Sequence, residues 1–122
     1  RNIPGIGTSL RPKLADLCNP DRIIAIDEAT TVETCLSFVR DYHLLVGGST
    51  GSVLAAVQKL AAELTPGDTI LAISADLGDK YLDTVYNPAW VRDVIAPRAE
   101  VLAREIRLGN RSDLPRCSRL GS

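Results

Sequence analysis

The sequence predicts an α/β fold, with parallel-sheet strands flanked by helices. Three features carry this expectation. Two short, β-branched apolar runs, Arg22–Ile26 and Thr69–Ile73, read as strands; helical apolar stripes lie between them; and a glycine-rich loop, Gly47–Gly51, opens the second stripe. Strand, helix, glycine loop, helix, strand is the alternation of α/β proteins. Two strands are thin for a parallel sheet, which buries both faces under helices. The chain therefore reads as part of a sheet whose other strands lie elsewhere. Residues 1–108 are expected as one structural unit, and the polar, basic stretch 109–122 as a frayed tail.

Each element has a local reason. Gly5 to Pro12 is a glycine-punctuated loop. Arg22–Ile26 is too short and too β-branched for a helix, so a buried strand is expected. Asp27 then offers an N-cap, with Thr30 and Thr31 as weaker competitors. Val32, Cys35, Leu36 and Val39 form the apolar stripe of a helix running to about Tyr42. Leu44–Val46 leads into the glycine loop, and Val53, Leu54, Val57, Leu60 and Ala61 mark the next helix. Pro66-Gly67-Asp68 is a turn, and Thr69–Ile73 the second strand. Short helical pieces are expected over Lys80–Thr84 and Pro88–Ile95. A last helix is expected from Pro97 to Leu108, since proline is tolerated in a first turn.

The 122 residues suffice for one domain, and 45% hydrophobic with 24% charged residues is a globular composition. A formal net charge of −1 gives no reason to expect a nucleic-acid or membrane partner. No apolar run approaches the roughly 20 residues needed to cross a bilayer. The start, Arg1 to Gly7, has neither an apolar signal core nor an initiator Met, so an internal segment of a longer protein is expected, and the cysteine usage fits a cytoplasmic, reducing setting. Cys18, Cys35 and Cys117 are widely spaced, with no C-x-x-C pair; Cys35 reads as a small core residue. Asp76 and Asp79 invite a metal reading, but two carboxylates without a third ligand fit helix capping better, and no metal is expected. His43, at a helix end, suits an interaction with the helix dipole, with a general base as the alternative.

Gly47-Gly48-Ser49-Thr50-Gly51-Ser52 is the most informative stretch. Glycines allow close backbone approach, and serine or threonine at a helix start can cap it. The loop has neither the G-K-[ST] of a Walker loop nor G-x-G-x-x-G spacing. The residues leave two readings: a capped helix start, or a polar ligand contact at the edge of a sheet.

Three blocks then occur in order: Gly5-Ile6-Gly7-Thr8 with Pro12 after it, Gly47-Gly48-Ser49-Thr50-Gly51, and Asp76-Leu77-Gly78-Asp79-Lys80-Tyr81-Leu82. The ordered set, from about Gly5 to Trp90, resembles the C-terminal part of fold-type II enzymes dependent on pyridoxal 5'-phosphate (PLP), the cysteine synthase and cystathionine β-synthase family. The resemblance implies that Ser49 hydrogen-bonds the pyridine nitrogen of PLP. Gly5, Ile6 and Gly7 would lie on the substrate side, with Gly47, Gly48, Thr50, Gly51 and Asp76 just behind these contacts. A hydroxyl, unlike a carboxylate, supports a neutral ring nitrogen, which favours expulsion of a β-leaving group and attack on the resulting aminoacrylate.

The run Tyr81 to Asn87, Trp90 and Gly48 resemble the branch that joins O-phosphoserine to glutamate in making 2,3-diaminopropionate precursors; a sulfur-using cysteine synthase is the alternative. Tyr81, Tyr86 and Trp90 have a plainer reading, the packing of a C-terminal helix on the sheet. The family's Schiff-base lysine and phosphate cradle lie upstream of the matching region, and Lys13, Lys59 and Lys80 occupy no matching position. No catalytic residue is therefore expected in this chain. The expected partners are small amino-acid substrates and the N-terminal part of the enzyme, the intact protein being a homodimer. A non-catalytic fragment or binding module is the rival of another class.

Overall fold

The computed structural model describes residues 2–7 and 10–100. The expected tail, 109–122, and the end of the last expected helix lie outside the described residues. Helix α1 (Glu28–Tyr42) begins where Asp27 was expected to cap it: the carboxylate accepts the Thr30 N–H at 2.8 Å and the Thr30 hydroxyl at 2.7 Å. It ends at His43, a left-handed C-cap whose N–H bonds the Val39 carbonyl.

Helix α2 (Gly48–Leu60) starts inside the glycine-rich block, which is therefore not a loop along its whole length. Its N-cap is Gly47, with no side-chain capping bond. The α1–α2 interface closes on Gly51. In α2 the buried positions are Gly48, Thr50, Gly51 and Ala55, whereas Val53, Leu54 and Val57 are only half-buried. A Cβ on Gly51 would come within 2.3 Å of Cys35 Sγ and 2.9 Å of the Thr31 carbonyl, so only glycine permits this approach. Thr31 and Ser52 hydroxyls close the same interface at 2.9 Å. The expected stripe of α1 holds for Val32 and Cys35, which are buried; Leu36 is exposed.

The two expected strands form no ladder among the described residues. Pairing there is confined to a single antiparallel bridge between Val46 and Leu77, made by Gly47 N–H to Asp76 O at 3.1 Å and Gly78 N–H to Leu45 O at 3.0 Å. The segment 22–26 was expected to be buried, yet Ile23 is 84% exposed, and in 69–73 Leu71 is 92% and Ile73 77% exposed. A strand needs a neighbour for its backbone groups, and local sequence does not supply one.

After Gly78–Tyr81, a 3₁₀ turn, helix α3 (Pro88–Trp90) starts on an Asn87 cap and passes directly into a π turn over Val91–Ile95; residues 96–100 continue as α-helix. Pro97 therefore does not begin a helix but lies inside one. Proline lacks an N–H and crowds the carbonyl one turn back, and the wide turn just before it, with Ala96 N–H bonded to Val91 O, makes room. The core joins Ile3, Val32, Cys35, Val46, Tyr81, Val85 and Ile95, so the N-terminal segment, α1, the bridge and the C-terminal helix share one cluster.

Candidate functional site

The three sequence blocks, separated by tens of residues, meet at the N-terminus of α2. The first block lies against Gly48: a Cβ there would fall 2.6 Å from Ile3 Cγ2 and 3.3 Å from Ile6 Cδ1. Gly5 holds a φ of +77°, which favours glycine, and a Cβ on it would come within 2.8 Å of the Tyr81 hydroxyl. Gly7 also has positive φ, and its N–H bonds the Gly5 carbonyl at 3.2 Å, closing a tight turn.

The third block supplies the floor. Tyr81 donates its hydroxyl to Asp76 Oδ2 at 2.6 Å. That bond, then partial burial and the nearby charges of Asp76 and Asp79, raise the Tyr81 phenol above its ordinary pKa. Asp76 also sits against Gly47, where a Cβ would reach 1.9 Å from Oδ1; that oxygen is buried and has no hydrogen-bond partner. Asp76 was expected to cap a helix, but the 3₁₀ turn has Leu77 as its N-cap and no capping bond from a side chain. Its Oδ2 instead accepts the Tyr81 hydroxyl, while Oδ1 lies against Gly47, the N-cap of α2.

Ser49 is the second residue of α2 and half-buried. Its hydroxyl forms no hydrogen bond with a described residue. It is not the cap, because that position belongs to Gly47. The first intrahelical bond is Gly51 N–H to Gly47 O at 3.0 Å, so the N–H groups of Gly48, Ser49 and Thr50 precede it and leave a partial positive charge beside this hydroxyl. Thr50 faces the other way, bonding Ser74 Oγ at 2.9 Å and lying 3.5 Å from the Asp76 carbonyl.

No family model matches the sequence. A hydroxyl at a helix N-terminus, a glycine turn packed against Gly48 and a part-buried Asp76–Tyr81 hydrogen bond make a polar contact point with exposed backbone at Gly5 and Gly7. Among the described residues no group of three or more His, Cys, Asp or Glu side chains could hold a metal ion. No described helix is long and apolar enough to cross a membrane. Lys13 and Lys80 are exposed, and Lys59 lies in the last turn of α2, donating to the Ala25 carbonyl at 3.0 Å. Ten residues of helix separate Ser49 from Lys59, about 15 Å.

Two long-range contacts escaped sequence reasoning. Glu28 accepts bonds from Asn2 and Ile3, a link across 25 and 26 residues that no periodicity signals. Tyr86 clamps Val46, accepting its N–H at 2.9 Å and donating to its carbonyl at 2.6 Å. Burial pushes the Tyr86 phenol up to about 12, against the lowering effect of the bond it accepts from the Val46 N–H. The buried Cys35 thiol is likewise pushed up by burial, which suits a packing residue rather than a nucleophile.

Proposed function

We propose that this chain is the C-terminal part of a PLP-dependent β-replacement synthase of the cysteine synthase and cystathionine β-synthase family. In this reading it joins an O-activated serine, O-phosphoserine, to glutamate in 2,3-diaminopropionate biosynthesis. The observation that carries the reading is the meeting of Gly5–Gly7, Gly47–Gly51 and Asp76–Tyr81 at the N-terminus of α2, where the Ser49 hydroxyl has no protein partner among the described residues.

The residues present fit one edge of the cofactor. A neutral hydroxyl beside the α2 N-terminus suits an uncharged ring nitrogen, and Ser49 would hold it. PLP, when bound, supplies the electron sink for loss of the Cα proton and departure of the β-substituent. Ser49 orients the ring without placing a carboxylate against its nitrogen. The Gly5–Gly7 turn presents backbone to the amino acid, and glycine keeps that approach free of side chains. Asp76 and Tyr81 act behind these groups, holding turn and helix at fixed separation. The covalent lysine and the phosphate cradle would come from polypeptide outside this sequence.

The test uses the intact protein with PLP bound. O-phosphoserine and glutamate should yield N-(2-amino-2-carboxyethyl)-glutamate by mass spectrometry. Cysteine formed from sulfide, with no glutamate adduct, would move the protein to the sulfur-using branch. No β-replacement with either nucleophile would sink the enzyme reading and leave a binding module.

A further inference from the structure

We infer that Glu28 is a positioning residue, fixing the Asn2–Gly7 turn against the N-terminus of α2 and thereby setting the substrate side of the site. The assignment of that side rests on the function proposed above; the anchoring itself does not. Asp27 caps α1, which leaves the side chain of Glu28, the first residue of the helix, available for a tertiary contact. Its Oε1 accepts the backbone N–H groups of Asn2 and Ile3, the latter at 2.8 Å, and its Oε2 accepts the Asn2 side-chain amide at 3.1 Å. Burial pushes this carboxyl up, but the bonds from Ile3 and Asn2 outweigh it and hold the group below the usual carboxylate range. The contact is therefore charge-assisted, the stronger class of hydrogen bond.

The grip on Asn2 and Ile3 reaches the site through the next residues of the chain. Ile3 is buried and lies against Gly48 together with Ile6, whereas Pro4, Gly5 and Gly7 are exposed. Ile3 is thus the buried anchor of the turn, and Glu28 holds that anchor through its backbone. A shift at Ile3 would carry Gly5 away from Tyr81 and open the turn packed against Gly48, next to Ser49 in α2.

Glu28→Gln tests this in the intact, PLP-bound protein. It keeps the size of the side chain, removes the charge and sets an NH₂ among N–H donors. Amide exchange at Gly7 should speed up roughly tenfold, as for weakening charge-assisted bonds. The KM for O-phosphoserine or O-acetylserine should rise about five- to tenfold, with kcat within about twofold, because the turn binds ground and transition states alike. Asn2→Ala, which removes only one donor, should give a smaller step in the same direction. Glu33→Gln, exposed on the same helix, should change neither reading. Unchanged exchange at Gly7 overturns the proposal, and so does a lower melting temperature with KM unaltered, the mark of a purely structural tie. If the wild-type protein turns over neither substrate, the proposed function fails. The exchange measurement, made without substrate, then alone decides whether Glu28 anchors the turn.

Discussion

Ser49 stands at the second position of α2 with Gly47 as the cap, and this separates its two readings. An acidic residue in a first helical turn is favourable, by about 0.3–1 kcal/mol, so Ser49→Asp should not weaken the fold. Under the proposed function, a carboxylate there would hold a proton on the ring nitrogen. Ser49→Asp should therefore lose more activity than Ser49→Ala, with the melting temperature of the Asp variant equal to or above wild type. Equal rates for Asp and wild type would remove Ser49 from the cofactor. Tyr81 makes a different prediction. Tyr81→Phe leaves Asp76, whose Oδ1 already has no partner, without its bond at Oδ2, and should cost about 1–3 kcal/mol in urea denaturation. Tyr86 predicts a pH effect. Its phenol ionises only at about 12 in the folded chain, against about 10 for a free tyrosine. Its stabilising contribution is thus intact below about pH 10 and lost as pH rises through about 12, because the unfolded chain ionises first. A spectrophotometric titration should show this late tyrosinate step, and Tyr86→Phe should abolish it.

At the scale of elements, the helices were readable because their signals are local. Asp27 with Thr30 fixed the start of α1, and the stripe through Val32 and Cys35 gave its inner face. The stripe of α2 marked the helix, but its Val53, Leu54 and Val57 are only half-buried, while the closest approach to α1 is made at Gly51. Small residues bury little area but set how near two helices come. Gly51→Ala should therefore destabilise the chain by about 1–3 kcal/mol despite alanine's better helix propensity, because the new methyl meets Cys35 Sγ and the Thr31 carbonyl. Cys35→Ala in the same chain should recover only part of the loss, since the Thr31 carbonyl remains. A stabilising effect of Gly51→Ala would show that α1 and α2 do not pack this closely. The exposed ion pairs, Arg11–Asp16, Arg22–Glu63, Arg40–Asp41 and Arg92–Asp93, add little in comparison.

The molecule as a whole leaves Ile23, Leu71 and Ile73 largely exposed, in two segments whose composition suits a sheet. Apolar surface of this kind marks an interface or an aggregation site. The isolated chain should scatter light on warming, and Ile23→Lys with Leu71→Lys should suppress this without lowering the melting temperature. It should also retain no PLP after borohydride reduction and dialysis; a stoichiometric adduct on one lysine would contradict the proposed division of the cofactor site. The sequence by itself determined what depends on neighbours along the chain: the capped start of α1, its end at His43, the burial of Cys35, and the three glycine-bearing blocks in order. Tertiary structure alone decided what depends on distant partners. It set Glu28 on Asn2 and Ile3, joined Tyr81 to Asp76 beneath Gly5, and clamped Val46 with Tyr86. It also left 22–26 and 69–73 unpaired among the described residues, because β-propensity describes a fit to a sheet and cannot provide the adjoining strand.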